Sequence, residues 1–159
     1  MSGDDVRFLD GASTADDIRN HLLACDTQFR PQLSERVDIE TYARKLAERA
    51  HTEEAWHGSS LVGLVAAYFA ANGESCYITN VSVIAGFTGR GIATRLLRNL
   101  VAHPECRDVA TIELEVSSQS IGAIRLYTGL GFRTVEERAG RVLMQHTRKA
   151  GDAATPDGP

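Results

Sequence analysis

The chain has no hydrophobic run long enough to cross a membrane as a helix. Its longest unbroken stretch of apolar residues and glycine, 61–71, falls well short of the roughly 18–20 residues required. The opening MSGDDVRFLD has no basic segment followed by an apolar one, so it does not read as a signal peptide. Lysine is scarce (Lys45 and Lys149 only) and the formal net charge is -4, which argues against a broadly basic nucleic-acid-binding surface. Cysteine is limited to Cys25, Cys76 and Cys106, too few and too widely spaced for a disulfide framework or a zinc site. The expectation is three reduced, buried thiols in a cytoplasmic protein. His21, His51, His57, His103 and His146 show no metal-ligand spacing and read as surface or loop residues. No metal, nucleic acid or membrane is expected as a partner.

What is present suffices for one domain. Of 159 residues, 43% are hydrophobic, enough for a substantial core, and the 24% that are charged match a globular surface. Residues 6–9 read as a first strand. Ser13 or Thr14 precedes two acids, a helix start, and Ile18, Leu22 and Leu23 follow at helical spacing. Asp38 opens a second helix whose apolar face carries Ile39, Tyr42, Ala43, Leu46 and Ala50. Strands are predicted at 52–56, 61–71 and 75–83, with Asn72-Gly73 as a two-residue hairpin turn. A glycine-rich loop then enters a helix that Pro104 stops. A strand at 111–116, a helix at 120–130 and a strand pair about Ala139-Gly140 complete the order β-α-α-β-β-β-α-β-α-β-β. This is an α/β (α+β) chain with a mixed, mostly antiparallel sheet. Residues 150–159, small, polar and proline-containing, read as a disordered tail after a single domain at 1–149.

The loop Thr88-Gly89-Arg90-Gly91-Ile92-Ala93-Thr94 joins a strand end to a helix start. Such a junction presents unpaired N–H groups and a positive dipole end, and glycine lets backbone approach a phosphate with no Cβ in the way. It is not a Walker loop, since no Gly-Lys-Ser/Thr follows, and it lacks the third glycine and the opening βαβ unit of a dinucleotide fold. Downstream lies Ala123-Ile124-Arg125-Leu126-Tyr127-Thr128-Gly129-Leu130-Gly131-Phe132.

Together, in this order and at this distance, the two segments resemble the acyl-CoA motif and the A-I-x-L-Y-x-x-x-G-F segment of the GNAT superfamily of N-acetyltransferases. The matched part spans about 77–134. The resemblance implies a sheet splayed between strands 75–83 and 111–116 to admit acetyl-CoA as acyl donor. The backbone of Val81 and Val83 would bind the pantetheine arm like an added strand. The N–H groups of Thr88, Gly89, Arg90, Gly91, Ile92, Ala93 and Thr94 would hold the pyrophosphate. Two positions depart from the pattern: Thr88 stands where Gln or Arg is common, and Ser120 where Asn is common. Ser120 is expected to cap its helix and to contribute less to the pantetheine arm.

Tyr127 matches the family tyrosine that lies near the cofactor sulfur, and a phenol can protonate a departing thiolate. On strand 111–116, Glu113 and Glu115 share the face opposite Ile112, Leu114 and Val116. Glu115 matches the proposed base in the L-E-V of ribosomal-protein acetyltransferases of this family. Asn80 and Ser82 do not titrate usefully but could orient a water. The implied reaction is direct attack of a primary amine on the thioester. The acceptor stays open between a small molecule and a protein N-terminus or lysine. It would be selected by the helices at 14–50 and by 56–61, with Trp56 and Phe69 as candidate pocket walls. A homodimer is left open, as is a non-catalytic acyl-CoA-binding regulatory domain.

Overall fold

The computed structural model describes residues 5–147; the expected tail at 150–159 lies outside them. The elements are β1 (Arg7–Asp10), α1 (Ala15–Cys25), α2 (Ile39–Arg49), β2 (His51–His57), β3 (Ser60–Phe69), β4 (Ser75–Val83), α3 (Ile92–Ala102), β5 (Thr111–Ser117), α4 (Ile121–Gly129), β6 (Arg133–Arg138) and β7 (Arg141–Thr147). They form one seven-stranded sheet in the order β1-β2-β3-β4-β5-β7-β6, antiparallel except for the β4–β5 pair. The element order and the mixed sheet are those expected.

Local chemistry sets most of the boundaries. Thr14 caps α1 in a reciprocal capping box with Asp17, and Asp38 caps α2 by accepting from Thr41 N–H. Ala139 and Gly140, both at positive φ, make the tight turn between β6 and β7. The predicted turn at Asn72-Gly73 is longer than two residues. Ala70 N–H closes onto the Ser75 carbonyl, and the Asn72 side chain accepts from Glu74 N–H, which stabilises a five-residue connection over 70–74.

β3 is buried on both faces, which explains its continuous apolar run in place of alternation. On one face Ile92, Leu96, Leu97 and Leu100 of α3 pack against Val62, Ile78 and Ile112; on the other, Ile18, Leu22 and Leu46 of α1 and α2 pack against Leu64 and Ala66. Gly63 lets α3 approach: a Cβ there would come 2.8 Å from Ile92 Cγ2. The three cysteines are buried and none forms a disulfide among the described residues.

A buried carboxylate ties β2 to the start of α1. Glu54, fully enclosed, accepts from the N–H groups of Ala12 and Ser13, the hydroxyls of Ser13 and Thr52, and Trp56 Nε1. Burying a charge is tolerable only with such a full set of donors. Trp56 is thus a core residue facing Glu54.

The sheet opens where it was expected to. β4 and β5 pair only from Ser75 opposite Thr111 to Ile78 opposite Leu114. Against β3, Ala67 faces Ile78 and Ala66 faces Asn80, so Thr79 is an extra residue in β4. A bulge bends and twists its strand. Coming immediately after the last β4–β5 pair, it turns β4 away from β5 and leaves the β4 backbone beyond Thr79 without a strand on that side.

Candidate active site

The gap is a cleft of about 320 Å³. One wall is β4 around the bulge, including Val81; the other is the end of β5 with Glu115, together with Ser120 and Tyr127 of the α4 region. The segment between α1 and α2 covers it with Arg30 and Arg36, and Arg141 enters from β7. Tyr42 braces the bulge, its hydroxyl 3.1 Å from the Thr79 carbonyl and 2.8 Å from Thr79 Oγ1. Trp56 and Phe69 do not line this cleft, and neither does 57–61; of the expected acceptor wall, the segment between α1 and α2 and Tyr42 of α2 line it.

Beyond Val83 the chain makes one 3₁₀ turn and enters α3 through Gly89 and Gly91, both near φ +78°. A Cβ at either would meet nothing within 4 Å, so these glycines serve backbone conformation in front of open space. The first helical bond is Arg95 N–H to the Gly91 carbonyl. The N–H groups of Gly89, Gly91, Ile92, Ala93 and Thr94 have no protein partner among the described residues. They form an anion-binding helix start. Thr88 is turned away from it: its hydroxyl and N–H both donate to the Ala85 carbonyl, at 3.0 and 3.4 Å. Arg90 folds back too, 4.8 Å over the Phe87 ring and donating to the Gly86 carbonyl. Ile92 contributes only backbone, since its side chain is in the core.

Tyr127 is 6% exposed and packs against Phe132, yet it lines the cleft, and its hydroxyl has no hydrogen-bond partner among the described residues. Burial pushes the phenol up to about 12. It is therefore fully protonated at neutral pH and a weaker acid than a free tyrosine. Ser120 precedes α4 but its hydroxyl makes no cap hydrogen bond, contrary to expectation; it lines the cleft instead. Glu115 is half exposed, 3.8 Å from Arg141 Nε. Glu113, on the same strand face, accepts from Gln145 Nε2 and does not line the cleft.

His21, expected at the surface or in a loop, is buried beneath β4. Its Nδ1 lies 2.9 Å from the Leu61 carbonyl and its Nε2 2.8 Å from Ser82 Oγ, which is 2.7 Å from the Asn80 side chain. Desolvation lowers its pKa to about 4, so the ring is neutral. Nδ1 then donates to Leu61, and Nε2, left as an acceptor, shares the single Ser82 hydroxyl proton with Asn80 Oδ1, which ties Ser82 and Asn80 together behind the cleft. Nothing in the sequence marked this pairing across 61 residues.

The shift has a consequence for stability. Between pH 6.5 and about 4 the unfolded chain takes up a proton at His21 that the folded chain refuses, so stability falls with pH across that window. At 1.36 kcal/mol per pH unit the loss reaches about 3 kcal/mol. Urea titrations at pH 7 and 4.5 will show a much smaller acid loss in His21→Gln than in wild type; equal losses would assign the effect to another group.

One set of described side chains could hold a metal ion: Asp10, His51, Glu53 and His103, with ligand atoms within 4.8 Å of one another. The fold brings together residues whose spacing suggested nothing. Hydrogen bonds and ion pairs already engage them. His51 Nε2 lies 2.6 Å from Glu53, which raises the His51 pKa against the effect of burial, and His103 accepts from Glu105 N–H and lies 3.5 Å from Asp10. None of the four lines the cleft.

The opened sheet, bare helix start and tyrosine-lined cleft coincide with a known pattern. Residues 15–132 match the acetyltransferase (GNAT) family. The chain belongs to this family. Over 115 residues it is 29% identical to N-acetylaspartate synthetase of Danio rerio, covering 72% of this chain and 40% of that protein. Over 59 residues it is 42% identical to the ribosomal protein bS18-alanine N-acetyltransferase of Salmonella typhimurium, covering 37% of this chain and 40% of the relative. The chain thus spans under half the length of either relative. The structure of the PaiA N-acetyltransferase from Thermoplasma acidophilum in complex with coenzyme A superposes with a TM-score of 0.69 at 13% identity, covering 91% of this chain and 99% of the other. That likeness concerns the fold. Among the described residues of this GNAT chain, no helix is long and apolar enough to cross a membrane.

Proposed function

We propose that the protein transfers an acetyl group from acetyl-CoA to a primary amine by direct attack within a ternary complex. The observation that carries this reading is the continuity of two unsatisfied backbone surfaces. The β4 edge past the bulge at Thr79 leads into the free N–H groups of Gly89 and Gly91 to Thr94, with Tyr127 on the facing wall. An extended pantetheine arm could pair with the first, alongside Val81 and Val83, and a pyrophosphate with the second. The three cysteines are buried, which supports attack by the amine itself over a thiol-bound intermediate.

Most of the rate would come from holding amine and thioester together, with the oxyanion against a β4 N–H. Tyr127 stands ready as hydrogen-bond donor to the thiolate that leaves. Full ionisation of a phenol near 12 in favour of a thiol near 8.5 would cost about 5 kcal/mol. The phenol therefore works by donating a hydrogen bond, or by passing on a proton that the attacking nitrogen returns. That hydroxyl, free at the cleft, favours an enzyme over a silent acyl-CoA-binding domain.

Glu115 is the carboxylate in reach of the incoming amine. At pH 7 a lysine-like amine costs roughly 4–5 kcal/mol to deprotonate and an α-amine about 1–1.4 kcal/mol. Thiol release with mass detection of the acetylated amine tests the reaction; intersecting initial-rate lines are expected, and parallel lines would point to an acyl-enzyme. In Glu115→Gln kcat/KM should fall, with the larger loss for the amine of higher pKa. A near-wild-type rate with both amines would assign the proton to another group.

A further inference from the structure

The cleft carries a charge opposite to that of the chain. Of its lining residues Arg30, Arg36 and Arg141 are cationic and Glu115 alone is anionic, a formal +2 (+3 − 1) in a protein of net charge -4. Arg141 has a structural task, donating through Nη1 to the Arg30 carbonyl and approaching Glu115 through Nε at 3.8 Å. This ties the β7 start to the α1–α2 segment and leaves Nη2 for other use. The guanidinium groups of Arg30 and Arg36 have no ion pair or hydrogen bond with any described residue. Arg36, Arg141 and Glu115 line one shared space together with Tyr42 and Tyr77.

We propose that the acceptor is a small aminocarboxylate, its carboxylate held by Arg36 and Arg30 with Arg141 beside them and its amine directed to Glu115. This rests on the transferase reading above and names the substrate class for the same site. Unpaired guanidinium forks around a concave space match a carboxylate in geometry and in charge. The same field disfavours polyamines and lysine-rich segments, which would bring further positive charge into a cleft that is already cationic. At about 320 Å³ the cleft lies at the small end of ligand sites, and the thioester must share it, which fits an acceptor of amino-acid size. Glu115 gives the arrangement polarity: on β5, it is the one anionic residue lining the cleft.

The test is thiol release with mass detection for the purified full chain and acetyl-CoA. The acceptors are aspartate, glutamate and alanine, their α-methyl esters and amides, cadaverine, and a peptide with an acidic N-terminal residue. A free aminocarboxylate should be preferred at least tenfold in kcat/KM over its ester or amide, with cadaverine poorest. Arg36→Ala should raise the acceptor KM about tenfold, leave the KM for acetyl-CoA in place and erase the preference for acid over ester. Arg36→Lys should recover only part of it. Cadaverine or the esters used as well as the free acids, or an acid-to-ester ratio that survives Arg36→Ala, would overturn the proposal. So would acetylation confined to the peptide. Failure of the transferase reading has a different appearance: no amine of either kind releases thiol, and the acceptor assignment falls with it.

Discussion

Gly91→Glu will abolish measurable acetyl-CoA binding while costing the fold only about 1–2 kcal/mol. Gly91 sits at φ +78° with nothing within 4 Å of where a Cβ would stand, so the substitution strains one residue and disturbs no packing. The adjoining N–H groups of Gly89 and Gly91 to Thr94 have no protein partners among the described residues. A carboxylate there would compete for those donors and repel a pyrophosphate. Loss of even half of the charge-assisted bonds, at roughly 1.5–3 kcal/mol each, moves affinity by several powers of ten. Calorimetric titration at matched folding, checked by thermal unfolding, decides the matter. A dissociation constant within threefold of wild type would remove the phosphate assignment.

Tyr127→Phe should lower kcat by roughly 10–10³-fold while changing acetyl-CoA affinity little. The ring is held by Phe132 and by core neighbours, and these contacts do not need the hydroxyl. Deleting an oxygen that has no protein hydrogen bond should leave stability close to wild type. The loss should appear where chemistry limits the rate, best seen in single-turnover measurements. Because burial keeps the phenol protonated well past neutrality, the wild-type rate should show no Tyr127 titration below about pH 11. An unchanged single-turnover rate in the mutant would reduce Tyr127 to a packing residue.

The sequence by itself determined the elements, their order and the ends of the site that are local in the chain. Capping at Thr14 and Asp38, the unalternating apolar run of β3 and the glycine entry to α3 each act within a few residues, so their physics is written in neighbouring letters. Tyr127, Glu115 and Ser120 could be named for the same reason, as parts of short recurrent segments, and the fold gathers them on one cleft with Val81. The hydrogen bonds of Thr88 and Ser120 could not, because a hydroxyl chooses among partners according to backbone angles that composition does not set.

Tertiary structure alone decided the rest. His21 becomes a buried neutral ring because α1 lies across β3 and β4, joining residues 40 and 61 positions apart. Glu54 is satisfied by donors from the β1–α1 junction that no spacing rule connects to it. The arginines that give the cleft its charge come from 30, 36 and 141, which meet only once β7 has paired with β5 and the α1–α2 segment has folded over the gap. Periodicity and capping report free energies that act along the chain within a turn or a strand pair. Desolvation and the field inside a cleft depend on which surfaces meet, and that is fixed only when the sheet closes around its two cores.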